Sequence, residues 1–134
     1  MDPTLRDRVK TRAHNRCEYC LLPQEHVSLT HHLEHIVARK HGGTDTLGNL
    51  ALACHRCNLH KGSNLTGMDP ATGKVVGLFH PRRHKWSAHF RFEAEQLLGR
   101  TAMGRATVQT LAMNDPRRLE LRKALLGLEQ PELR

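Results

Sequence analysis

Two Cys-x-x-Cys pairs, Cys17/Cys20 and Cys54/Cys57, account for every cysteine in the chain. Each pair offers two sulfurs from one tight turn. Two such turns brought together make a closed tetrahedral thiolate site of the structural zinc type, with no coordination position left for substrate. Two disulfides are the first alternative, disfavoured because residues 1–8 carry no apolar export segment. A redox Cys-x-x-Cys is the second, and it leaves the other pair without a role. The 33 residues between the pairs exceed what a compact zinc ribbon needs, so they must loop out a substructure of their own.

The elements that position these turns can be read from local signals. Asp2 before Pro3 is an N-cap followed by proline at the first helical position, and Leu5, Val9 and Ala13 recur every four residues, predicting a short N-terminal helix. Residues 27–36 are rich in β-branched and alternating apolar side chains and predict a hairpin. Gly42 and Gly43 mark a loop, residues 47–53 form an apolar run into the second cysteine pair, and a short helix follows Cys57. Beyond residue 64 a turn at 69–73 precedes a strand at 75–79. Helices are predicted over 104–113 and 116–128, the second opened by Asp115 and Pro116, with Leu121, Leu125 and Leu128 on one stripe. No repeat, low-complexity tract or linker divides the sequence. The expectation is one α+β domain over 1–134, with a core at 14–64 and an extension at 65–134 (a hairpin or strand and two helices) packed on or beside it.

The chain has 134 residues, 38% of them hydrophobic and only 4% aromatic, so its core must rest on aliphatic side chains and profit from a crosslink. Twenty-one Lys and Arg against thirteen Asp and Glu give a formal +8, pointing to a polyanionic partner such as nucleic acid. Four thiolates on one Zn²⁺ would lower this to about +6. No stretch approaches the roughly 20 apolar residues of a membrane span. These features predict a cytoplasmic protein with no membrane partner. Arg82, Arg83, Lys85 and Arg91 surround Trp86 with no acid among them and are candidate phosphate contacts.

Inside the cysteine pairs lie Glu34-His35-Ile36-Val37, Gly42-Gly43-Thr44-Asp45, Leu47-Gly48-Asn49-Leu50 and Cys57-Asn58-Leu59-His60-Lys61-Gly62. In this order the set resembles the HNH endonucleases. That resemblance implies a small ββα-metal core stapled by the four-cysteine zinc site and a metal-dependent hydrolysis of DNA phosphodiesters, with RNA an open alternative. It implies that His35 is the general base activating water, and that Glu34 is the acidic ligand of a catalytic Mg²⁺ or Mn²⁺ that stabilises the leaving 3′ oxygen. Asn49 would brace the histidine loop and Asn58 complete the metal site. Lys61, and Arg39 in the loop after the histidine, are candidate phosphate contacts. The family most often has Asp where this chain has Glu34. Neighbouring strand residues point to opposite faces, so Glu34 and His35 can serve one site only if the strand bends there. The alternatives are a catalytically inactive zinc-stabilised nucleic-acid-binding module and a zinc-clamped protein-interaction domain.

Overall fold

The computed structural model describes residues 2–127. Helix α1 (Pro3–Arg12) starts where the capping signal predicts, with Asp2 Oδ1 accepting the Thr4 N–H at 3.0 Å. Its Val9 is fully buried against Leu50 and Leu52, flanked by Leu5 and Leu33. Arg12 adds two side-chain hydrogen bonds from the helix end to the carbonyls of Leu47 and Leu50.

The central hairpin is longer-range than predicted. Strand β1 (His32–His35) pairs antiparallel with β2 (Leu50–Ala53), so only the second half of residues 27–36 is strand and its partner lies beyond the glycine loop. The first half stays irregular because the Gln24 amide satisfies its backbone, donating to the Leu29 carbonyl at 3.0 Å and accepting from the His31 N–H at 2.5 Å. Helix α2 (His55–Lys61) follows β2 directly, with the Cys54 sulfur accepting the Cys57 N–H at its start. Alternation gives the hairpin two faces. Leu33, Leu50 and Leu52 face α1, whereas Glu34 turns towards α2 and the cysteines.

The described residues beyond 64 form two further hairpins and three helices. Strand β3 (Thr66–Met68) pairs with β4 (Val75–Gly77), and β5 (Phe90–Glu93) with β6 (Gln96–Gly99), joined to α3 (Trp86–His89), α4 (Ala102–Thr110) and α5 (Pro116–Gly127). The β5–β6 hairpin went unpredicted because its two-residue turn contains neither Asn nor Gly; Ala94 takes the left-handed conformation, φ +50°, without the usual sequence signal. Helix α4 lies so close to the chain that a Cβ on Gly104 would stand 2.0 Å from the His89 carbonyl oxygen.

All five Phe, Trp and Tyr residues join in one run of ring contacts. Tyr19 meets Phe79 edge-on, Phe79 meets Phe90 at 5.1 Å, and Trp86 lies against both Phe90 and Phe92. The buried cluster they anchor contains the four cysteines, Ile36 and Ala51 from the first half, and Leu78, Leu97, Leu111 and Met113 from the second. In α5 the predicted leucine stripe is displaced: the buried positions are Arg118, Arg122 and Leu125, and Leu128 lies outside the described residues. Both guanidinium groups take the carbonyls left open where α4 ends, Arg118 at Leu111 (2.8 Å) and Arg122 at Met113.

At the β3–β4 turn, Asp69 is fully buried and accepts two 2.9 Å hydrogen bonds from Arg105, with further donors in the Ala71 N–H and the Thr72 hydroxyl. These bonds, Arg105 first, hold its carboxyl below the usual carboxylate range. A depressed folded-state pKa contributes stability at pH values above the unfolded carboxyl value and loses it as the pH falls further. Asp69→Asn is therefore expected to lower Tm at pH 7, with the gap to the parent narrowing progressively below about pH 4; thermal melts across that range check it.

Candidate functional site

The four cysteines are buried and unpaired, and their sulfurs all lie within 4.8 Å of one another. The Cys20 and Cys54 sulfurs stand 3.7 Å apart, far beyond the roughly 2.05 Å of a disulfide and close to the edge of about 3.8 Å that Zn–S distances of about 2.3 Å give a tetrahedron. The Cys20 and Cys57 N–H groups donate to the Cys17 and Cys54 sulfurs, each at 3.4 Å. Donors aimed at sulfur suit thiolates. The cluster fits a structural zinc and excludes the two-disulfide alternative.

Arg118 supplies a charge to this cluster that sequence reading missed. Its Nη2 lies 2.9 Å from the Cys57 sulfur and 3.8 Å from that of Cys54, with the side chain buried. Burial works against the guanidinium charge, but the sulfurs of Cys57, Cys20 and Cys54 outweigh it and hold the group more firmly protonated than usual. The only signal available was an arginine at a helix position patterned as core, and its partner lies 61 residues away.

At the other end of the hairpin, His35 Nε2 is 2.7 Å from Asp45 Oδ1, and Arg39 donates to the same carboxylate from Nε (3.2 Å) and Nη2 (2.9 Å). These hydrogen bonds, that of His35 first and those of Arg39 next, keep the exposed Asp45 carboxyl below its ordinary pKa. An ionised carboxylate only accepts, so Nε2 is the donor in this contact and Nδ1 is the nitrogen turned away from it. Asn49 holds the loop that carries this trio: its Nδ2 donates to the carbonyls of Val37 (3.0 Å) and Thr44 (2.8 Å), and its Oδ1 accepts the Val37 N–H (2.9 Å). The loop closes so tightly that a Cβ on Gly43 would fall 1.7 Å from the Val37 carbonyl oxygen. Asp45 was legible only as part of a glycine loop; its being the carboxylate beside His35 depends on that closure.

Glu34 and His35 are not brought together. Glu34 is 4% exposed on the opposite face, its Oε2 accepting the Tyr19 hydroxyl at 2.6 Å and its Oε1 2.5 Å from Lys61 Nζ. Burial raises its pKa above the usual carboxyl value, against the pull of Lys61 and Tyr19. The expected ligand for a phosphate-bound metal is thus sealed in the core, because β1 keeps its alternation through residue 35. Lys61, expected at phosphate, is 2% exposed and also donates to the Ile36 carbonyl at 2.8 Å. Asn58 is partly exposed on α2, and among the described residues its side chain makes no hydrogen bond.

The basic segment divides as well. Arg82 is half-buried in an ion pair with Glu18, whose other oxygen accepts the Leu52 N–H at 2.8 Å, so it serves the fold where a phosphate contact was expected. Burial, and then Arg12, push its pKa down to about 10. Arg83 and Lys85 are exposed, as is Arg39. Among the described residues no helix is long and apolar enough to cross a membrane.

Residues 17–64 match the family model described as HNH endonuclease. The matched segment runs from the first of the clustered cysteines to just past α2 and lies within an α+β fold, and a match of this kind suggests nucleic acid as the class of partner. Neither curated proteins nor solved structures yield a match to the chain.

Because Arg118 balances part of the thiolate charge, Arg118→Met should leave four ligands in place but loosen their metal. Outer-shell partners of ligands typically contribute about 10- to 100-fold in affinity. Zinc transfer to a chromogenic chelator is expected to quicken by at least about tenfold, measured on folded protein.

Proposed function

We propose that this protein is an endonuclease that hydrolyses DNA phosphodiester bonds, with His35 as general base. The observation that carries the reading is the 2.7 Å hydrogen bond between His35 Nε2 and Asp45. With Nε2 committed to Asp45, Nδ1 takes a proton from water as that water's oxygen bonds to phosphorus. The bond to the 3′ oxygen then breaks, that oxygen taking a proton from solvent water, and Asp45 stabilises the imidazolium that forms until it gives its proton back to solvent. Asn49 keeps the loop closed so that Asp45 meets His35. Arg39, exposed beside the pair, meets the non-bridging oxygens of the scissile phosphate. A positioned base of this kind supplies about 10² to 10⁴ in rate.

A catalytic Mg²⁺ or Mn²⁺ was expected on Glu34 and Asn58. The donors present do not fit that expectation, since the Glu34 carboxylate is enclosed by Tyr19 and Lys61. The same enclosure favours the second reading, a zinc-stabilised module that binds nucleic acid without cutting it.

His35→Ala should reduce nicking of supercoiled plasmid by at least about 10²-fold while leaving zinc content and DNA affinity unchanged. Asp45→Asn should lower the rate about tenfold or more, since the ring loses its ionised partner. Binding by the parent protein with no nicking under any divalent-ion condition would establish the module instead.

Binding itself separates the cations. Arg83→Ala with Lys85→Ala should weaken DNA binding for all sequences and lower the slope of log K against log salt by about one to two units. Arg82→Ala should instead lower Tm and spare the slope, because its partner is Glu18. Salt titrations and melts of the purified variants distinguish these effects.

A further inference from the structure

We propose that Cys20 and Cys54 form the oxidation-sensitive edge of the zinc site, where a peroxide joins the two cysteine turns through a Cys20–Cys54 disulfide and so releases the metal. Three observations single out this pair. A cavity of about 380 Å³, lined in part by Leu22, Val27, Leu29 and Leu121, reaches the cluster and touches these two cysteines and neither of the others. Exposure follows the same division, since Cys20 and Cys54 are each 2% exposed and Cys17 and Cys57 0%. The Cys20 and Cys54 sulfurs also stand 3.7 Å apart, although they belong to different turns.

Hydrogen bonding sets the order of attack. Cys17 accepts the Cys20 N–H and Cys54 the Cys57 N–H, each at 3.4 Å, and Arg118 donates to Cys57 at 2.9 Å and stands 3.8 Å from Cys54. Among the described residues, Cys20 alone has a sulfur that receives no N–H. A donor stabilises thiolate charge, and a stabilised thiolate is the weaker nucleophile. Cys20 is therefore the attacking group. Its thiolate bonds to one peroxide oxygen as the O–O bond breaks, giving a sulfenic acid and hydroxide. The Cys54 thiolate then displaces a second hydroxide from that sulfur and forms the S–S bond. Two electrons pass from the sulfurs to the peroxide, and both hydroxides take protons from solvent. Half of the four-thiolate set is lost in this way, and the zinc is released. Because Arg118 faces Cys54 as well as Cys57, the same step withdraws part of the charge that holds α5 in place.

Sequence alone favours the other pairing, because a Cys-x-x-Cys turn is the usual dithiol that closes on itself. The proposal rests on the structural zinc and not on the nuclease reading, and its readouts are a disulfide map and metal release. Zinc-loaded protein is treated with less than one equivalent of hydrogen peroxide, quenched with acid, alkylated and digested with trypsin, which cuts after Arg56 and so separates Cys54 from Cys57. The expected product joins peptides 17–39 and 41–56, with fragmentation placing the bond at Cys20. One zinc should pass to a chromogenic chelator for each disulfide formed. Cys20→His keeps a zinc-binding set of three cysteines and one histidine and should release its metal at least about tenfold more slowly under peroxide. Cys17→His should release it at the parent rate. A first disulfide within either turn, or one ending at Cys17 or Cys57, would overturn the proposal. So would parent-like release from Cys20→His, equal protection by Cys17→His, or zinc loss ahead of any disulfide. If the histidine variants do not retain zinc, the disulfide map of the parent decides alone.

Discussion

The arrangement depends on concentrating four sulfurs in a space less than 5 Å across and then neutralising them. Four thiolates around one Zn²⁺ retain two negative charges, and buried charge is costly unless it is paired or hydrogen-bonded. The peptide N–H groups of the two cysteine turns answer part of that demand, and Arg118 answers another part from a helix far along the chain. The HNH segment therefore does not finish its own zinc site. It relies on α5, which in turn is held by arginines closing the open carbonyls at the end of α4. The sequence boundary near residue 64 is not a boundary in the packing.

A second enclosed charge, Glu34, ties the same cysteine turn to the hairpin and to α2. Its direction along the strand decides the division of labour. Regular alternation sends Glu34 inward to Tyr19 and Lys61, and sends His35 outward to the loop braced by Asn49. One position along the strand separates a core group from one that is only partly buried. The chemistry proposed for His35 is accordingly built from loop residues, Asp45 and Arg39, and from the closure that Gly43 permits.

Features set by local rules were legible in the sequence. The Asp2-Pro3 helix start, the cysteine turns, the glycine loop and the Pro116 helix each follow from residues a few positions apart. Features set by distant partners were not. Residues 27–31 have strand-like composition, but a single glutamine amide satisfies their backbone. Arg82 and Lys61 look like surface cations in one dimension, and Arg118 looks like a charge misplaced on a core stripe. In three dimensions each meets an anion or a sulfur cluster, and only that meeting makes their burial stable. Motif matching likewise paired Glu34 with His35 as neighbours, although adjacency in a strand separates side chains.

The chain's one tryptophan sits where these dependencies cross. The Trp86 indole N–H donates to the Tyr19 carbonyl at 2.8 Å, while its ring lies against Phe90 and Phe92. It thereby spans the cysteine turn and the β5–β6 hairpin. Its emission and its near-ultraviolet dichroism are a built-in optical gauge of whether the two halves are seated on one another. Because no second indole contributes, zinc loading, refolding and nucleic-acid binding can each be followed at that joint in the unlabelled protein.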